Sequence, residues 1–140
     1  MTIDVELAVQ SDYKWLKEND SHVDAAWVQR CIQLKEYYVA CFDGKRRGFL
    51  RFGFFWGIIP YMDMIGVDED VQRSGLGTAM FNRWENDMRE KGAKILMTSS
   101  MSNEPEPQAW HRHNGFKESG QITFGSFQTT PEVFLVKELS

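Results

Sequence analysis

Val67-Asp68-Glu69-Asp70-Val71-Gln72-Arg73-Ser74-Gly75-Leu76-Gly77-Thr78 is the stretch on which the fold turns. The run Tyr61 to Val67 before it reads as a strand, and two glycines one residue apart open a helix after it. From about Gly75 to Lys91 the apolar stripe Leu76, Met80, Trp84 and Met88 recurs every four residues, with Phe81 alongside, and Gly92 stands at the usual helix stop. A strand–loop–helix junction of this kind aims several unpaired backbone N–H groups at one spot, backed by about half a positive charge from the helix dipole. Glycines there remove the Cβ atoms that would keep a phosphate at a distance. The stretch is a phosphate cradle.

Two familiar cradles do not fit. A Walker loop carries a lysine directly after its second glycine, and here Thr78 follows Gly77. A dinucleotide fingerprint needs a third glycine three residues beyond the second, where Met80 stands. Too few strand–helix pairs follow the loop for a doubly wound sheet.

Outward from the loop, the chain divides without linkers or repeats. Ile3 to Val9 reads as a strand, and Ser11-Asp12 as the cap of a short helix through Trp15 and Leu16. Val23, Trp27 and Cys31, with Val28 and Ile32 beside them, mark the buried face of a second helix. Tyr37 to Phe42 and Arg47 to Trp56 are strands joined at Asp43-Gly44. After the central helix come a strand from Lys94 to Ser99, a helix capped by Ser102 or Asn103 and ended by Asn114-Gly115, and strands over Lys117–Phe124 and Val133–Glu138. The order β-α-α-β-β-β-α-β-α-β-β predicts an α/β fold with a mixed sheet and helices on its faces, residues 1–140 forming one domain.

Composition narrows the class. Of 140 residues 42% are apolar and 26% charged, the balance of a globular chain with a real core. No run approaches the roughly 18 apolar residues of a spanning helix, and acids at the N-terminus argue against a secretory leader. The expected location is cytoplasmic, with no membrane partner. The two cysteines, Cys31 and Cys41, have no zinc or disulfide spacing and are read as core thiols, with no metal site. A net charge of −4 argues against nucleic acid as a partner, so an anionic ligand must be held locally, as the cradle would hold it.

Val67, four residues, Gln72, two residues, then Gly75, Leu76 and Gly77 resemble the signature of the GNAT family of N-acetyltransferases. A second resemblance lies at Ala109-Trp110-His111-Arg112-His113-Asn114-Gly115-Phe116, ending in the family's habitual Gly-Phe. The element order agrees over nearly the whole chain. The resemblance implies acetyl-CoA as cosubstrate, bound in a gap between the fourth and fifth strands. Gln72, Arg73, Ser74, Gly75, Leu76, Gly77 and Thr78 would wrap the diphosphate, mostly through backbone N–H, with Arg73 adding a side-chain charge. The backbone of Ile65, Gly66 and Val67 would pair with the pantetheine amides, and Asn103 stands where the family often contacts that arm. Ser102 or Asn103 serving only as a helix cap is the plainer alternative.

The implied reaction is direct attack of a small-molecule or peptide amine on the thioester. His111 occupies the place where the family usually has a tyrosine acid, and an ordinary imidazole could donate or accept a proton at neutral pH. Asp63 is the carboxylate of the strand before the loop, sharing a face with Tyr61, Ile65 and Val67, and is the candidate base. Asp68, Glu69 and Asp70 are read as solvent-facing. Trp15, His22, Trp27, Phe124 and Phe127 are candidates for the acceptor pocket but fit core positions as well. The Phe49–Trp56 aromatics are read as sheet core, with any exposed part a possible homodimer face. The altered acid position leaves a non-catalytic acyl-CoA-binding module as the alternative, and a nucleotide-binding domain as a weaker one.

Overall fold

The computed structural model describes residues 2–140. The elements follow in the expected order: β1 (Ile3–Leu7), α1 (Tyr13–Asn19), α2 (Ala25–Gln33), β2 (Tyr37–Phe42), β3 (Lys45–Phe55), β4 (Ile59–Val67), α3 (Leu76–Glu90), β5 (Ile95–Met101), α4 (Pro105–His113), β6 (Lys117–Phe124) and β7 (Gln128–Glu138). The strands order as β1-β2-β3-β4-β5-β7-β6 in one seven-stranded sheet. β4 and β5 run parallel, and their ladder pairs Tyr61 with Met97 and Met62 with Thr98. Two rungs leave Met64–Val67 outside that ladder. No helix among the described residues is long and apolar enough to cross a membrane.

The chain forms two compact units. One holds the residues up to Phe52 together with Met64–Asp87, the other Gly53–Asp63 together with Met88–Ser140. In the first, Leu16, Val28, Cys31, Ile32, Tyr37, Val39 and Phe49 make the core cluster. The α3 stripe behaves as its spacing predicts: Leu76, Met80, Phe81 and Trp84 are all buried. Gly48 of β3 admits that helix, because a Cβ there would lie 3.0 Å from the Met80 Cε and 3.2 Å from the Gly66 carbonyl oxygen. A buried ion pair, Arg51 Nε to Asp20 Oδ2 at 2.7 Å, fixes the end of α1 to β3. The Tyr37 hydroxyl donates to the same carboxylate at 2.5 Å.

Several local expectations are corrected here. Trp27 is not on the buried face of α2; it is exposed and lies under the Arg30 guanidinium at 4.3 Å, while Val28, Cys31 and Ile32 go inward. Asp24 caps this helix by accepting from the Trp27 N–H at 2.9 Å. Asp12 does not cap α1 with its side chain but accepts from the Val9 N–H and pairs with Arg46. Cys31 and Cys41 are free thiols, and Cys41 is only half-buried.

In the second unit β5 alternates cleanly. Leu96, Thr98 and Ser100 are buried, whereas Ile95, Met97, Ser99 and Met101 are half-buried. β7 starts five residues earlier than Val133, at Gln128, and pairs with β5 from Met101↔Glu132 to Ile95↔Glu138. The aromatic run of β3 is core only in its first half. Phe49 and Phe52 are buried, but Phe54, Phe55 and Ile58 are exposed and Trp56, at the turn, is 79% exposed. Phe124 and Phe127 are exposed too, so neither is a core residue.

Candidate active site

In the first unit, β4 ends at Val67 and a 3₁₀ turn over Glu69–Val71 leads into the loop. Gln72 is extended (φ −62°, ψ 146°), Arg73 takes φ +70° and Gly75 φ +97°. A non-glycine residue with positive φ costs roughly 1–2 kcal/mol, so Arg73 is held there by its surroundings. The first hydrogen bond of α3 runs from the Ala79 N–H to the Gly75 carbonyl at 2.9 Å. The amides of Gly75, Leu76, Gly77 and Thr78 therefore precede the helical ladder and remain to bind something else. Ser74 has a buried hydroxyl with no hydrogen-bond partner. An unpartnered buried hydroxyl costs about 1–3 kcal/mol, and an anion oxygen would satisfy it.

The loop is tied down from behind. Gln72 Nε2 donates to the Val67 carbonyl at 3.3 Å, so the motif's glutamine serves the loop through its side chain. Arg47 Nη1 lies 3.2 Å from Asp68 Oδ2 and 3.1 Å from Asp70 Oδ1. Asp68 and Asp70 thus pair with Arg47 rather than simply facing solvent, and their charges are compensated beside an anion site. Leu76 is buried and anchors α3, leaving only its amide for a ligand. Arg73 and Thr78 are exposed, and Ile65, Gly66 and Val67 are half-buried. Gly66 is required at its position, because a Cβ would fall 2.8 Å from the Phe49 Cε1.

The second unit carries the other candidates. Asn103 is exposed in the turn after β5, and neither it nor Ser102 caps α4; the N-cap is Glu104, without a side-chain bond. Gln108 secures the helix start instead, donating to the carbonyls of Met101 at 2.9 Å and Ser102 at 3.2 Å. His111 is 5% exposed, with Trp110 and Phe116 rings edge-on to it at 5.7 and 5.9 Å. Its Nδ1 is buried without a partner. Burial lowers the imidazole pKa to about 4, so the ring is neutral at pH 7. At pH 7 the ring therefore carries no imidazolium proton. Asp63 is exposed, not enclosed among apolar neighbours as its strand pattern suggests.

Sequence reasoning passed over Tyr61, Ser99 and Glu132. The Tyr61 hydroxyl is hydrogen-bonded to Ser99 Oγ, and Ser99 Oγ donates to Glu132 Oε2 at 2.6 Å. Burial pushes the Tyr61 hydroxyl up to about 12. Strand alternation is the available signal, but it requires the register of three strands distant in sequence.

A glycine-opened loop whose amides stand ahead of a long helix, set after the central strand of a mixed sheet, marks a mixed α/β fold. The chain belongs to the acetyltransferase (GNAT) family, whose model matches residues 6–116. Among curated proteins no sequence match is found. The fold is similar to that of Ard1 from Thermoplasma volcanium, with TM-score 0.88, 12% identity, and coverage of 100% of this chain and 99% of that one. It is also similar to a ribosomal-protein-alanine N-acetyltransferase from Brucella melitensis, with TM-score 0.80, 19% identity, and coverage of 97% and 99%. A GNAT acetyltransferase from Elizabethkingia anophelis, solved with acetyl-CoA bound, gives TM-score 0.75, 16% identity, and coverage of 98% of each chain.

Proposed function

We propose that the chain is an N-acetyltransferase that moves the acetyl group of acetyl-CoA to a primary amine by direct attack, with both substrates bound together. One observation carries this reading: the amides of Gly75 to Thr78 stand ahead of a fifteen-residue helix, beside a buried Ser74 hydroxyl that lacks a partner. A diphosphate supplies the acceptor oxygens that those donors need. Gly75, Leu76, Gly77 and Thr78 hold it by their amides and Ser74 by its hydroxyl, whose own amide is donated to the Val71 carbonyl; Arg73 adds charge at the rim, and Gln72 keeps the loop on β4. The backbone of Ile65, Gly66 and Val67 pairs with the pantetheine arm as an added strand, and Asn103 is kept as a contact to that arm. Bound acetyl-CoA supplies an activated acyl carbon.

The chain's own contribution is mostly placement. Holding two reactants in line supplies about 7–11 kcal/mol of the barrier, against about 10²–10⁴ in rate for a positioned acid or base. A backbone N–H near the end of β4 is the donor to the developing oxyanion. Asp63, exposed on β4, remains a candidate base. His111 is not proposed as the acid; a thiol near pKa ~8.5 leaves without one. The acceptor is a small-molecule or peptide amine, and the net charge of −4 favours a cationic acceptor over nucleic acid.

The test measures free thiol release from acetyl-CoA against a panel of polyamines, lysine and peptides with free α-amines. Turnover above background with at least one amine is expected. Melting raised by acetyl-CoA, with no turnover for any amine, supports the second reading, a non-catalytic acyl-CoA-binding module, which the neutral His111 favours. Tighter binding of ATP or NAD than of acetyl-CoA would contradict both.

A further inference from the structure

Three strands of the second unit bring a hydroxyl, a second hydroxyl and a carboxylate into one hydrogen-bonded chain. Tyr61 lies opposite Met97 in the β4–β5 ladder, and Ser99 is the next residue along β5 on that face. Ser99 lies opposite Phe134 and Met101 opposite Glu132 in the β5–β7 ladder, which makes Ser99 and Glu132 diagonal neighbours on one face. The Phe134 ring packs 6.3 Å from that of Tyr61 and holds it in line. Gln128 Nε2 donates to Glu132 Oε1 at 3.0 Å and to the Thr130 carbonyl at 2.9 Å, which fixes the carboxylate from the hairpin side.

Donor counting sets the direction of this chain. A serine hydroxyl has a single proton, and Ser99 gives it to Glu132. The bond between Tyr61 and Ser99 must therefore be donated by Tyr61. Tyr61 spends its only proton inward, and the lone pairs of Oη are left to accept from outside. Glu132 accepts at both oxygens, from Ser99 Oγ and from Gln128 Nε2. Tyr61, Ser99 and Glu132 are each only half-buried, so the entrance and the end of the chain can both be reached.

We propose that Tyr61, Ser99 and Glu132 form a proton relay that takes the proton from the acceptor nitrogen as it attacks the thioester. This rests on the N-acetyltransferase reading above and adds to it the groups that handle the proton. As the nitrogen bonds to the acyl carbon its N–H becomes acidic. That proton passes to Tyr61 Oη, the Tyr61 proton to Ser99 Oγ, and the Ser99 proton to Glu132. The C–S bond breaks with its electron pair on sulfur, and the thiolate takes a proton from water. Glu132 returns the relayed proton to solvent, so charge and atoms balance. The high pKa of the Tyr61 hydroxyl keeps it protonated at rest, as an intermediate carrier must be.

The experiment uses the full chain, acetyl-CoA, and ethylamine at high concentration as a generic acceptor. Glu132→Gln keeps the shape and is expected to lower kcat about a hundredfold, with the acetyl-CoA thermal shift unchanged. Tyr61→Phe should cost a similar factor, and the double variant no more than either alone, because both cut one path. Formate added to Glu132→Ala should restore rate, and should not do so in Glu132→Ala combined with Tyr61→Phe. Wild-type kcat in Glu132→Gln, multiplying losses in the double variant, or loss of the acetyl-CoA shift in the single variants would overturn the relay. Absence of any acetyl-CoA shift in the unmutated chain would instead overturn the function on which the relay rests. A shift with no acceleration of ethylamine acetylation by the unmutated chain would overturn the relay together with the N-acetyltransferase reading, whereas ethylamine turnover that Glu132→Gln leaves unchanged would overturn the relay alone.

Discussion

The loop from Val67 to Thr78 and the helix α4 hold the chain's two family motifs, and each contains an unsatisfied polar atom. In the loop these donors belong to backbone amides and to Ser74, ahead of a helix N-terminus. In α4 the atom is Nδ1 of His111, enclosed by Trp110 and Phe116. One region leaves its donors unpaired ahead of a helix, while the other encloses its imidazole between two aromatic rings. A motif written in glycines works through the backbone rather than through side chains.

The two regions should differ most at His111. Its pKa is near 4 when folded against 6.5 in the unfolded chain, so the unfolded state binds the extra proton first as pH falls. Stability from the neutral ring is full above pH 6.5 and is lost as pH falls toward 4. By pH 4 the loss is about 3 kcal/mol. His111→Phe should remove that loss, read as denaturant midpoints of the two proteins at pH 7 and pH 4. Parallel midpoints at both pH values would make His111 a candidate titrating catalytic group again.

Gly66→Ala tests the loop side. The added Cβ meets Phe49, and a cost of about 1–3 kcal/mol in unfolding free energy is expected, with weaker acetyl-CoA binding as β4 shifts. An unchanged melting temperature would show that the end of β4 has more room than its contacts allow. Gln72→Ala is milder. Losing the bond to the Val67 carbonyl should cost about 0.5–1.5 kcal/mol, seen as a several-fold weaker acetyl-CoA affinity by calorimetry. An affinity loss at Gln72 larger than at Gly66 would mean that this side chain touches the ligand itself.

The sequence made the loop and the element order legible because both are written locally. Helical spacing placed Leu76, Met80, Phe81 and Trp84, and glycine spacing placed the free amides. Burial within one element was harder to read. Trp27 has the spacing of a core residue, yet Arg30 one turn on covers its exposed ring instead. Asn103 has the residue type of a cap, but the helix begins a residue later and Gln108 does the securing. Gly48 gave no sign of its task, which depends on α3 lying against it. The chain from Tyr61 through Ser99 to Glu132 was out of reach for the same reason: it exists only once three strands are in register.

Whether the Gln72–Thr78 loop binds a diphosphate is decided by calorimetry of acetyl-CoA beside S-acetylpantetheine, which ends before the diphosphate. Acetyl-CoA should bind at least a hundredfold more tightly and, at about 100 times its Kd, add about 2.7 kcal/mol to stability. Equal affinity for the two ligands would contradict diphosphate binding by the loop.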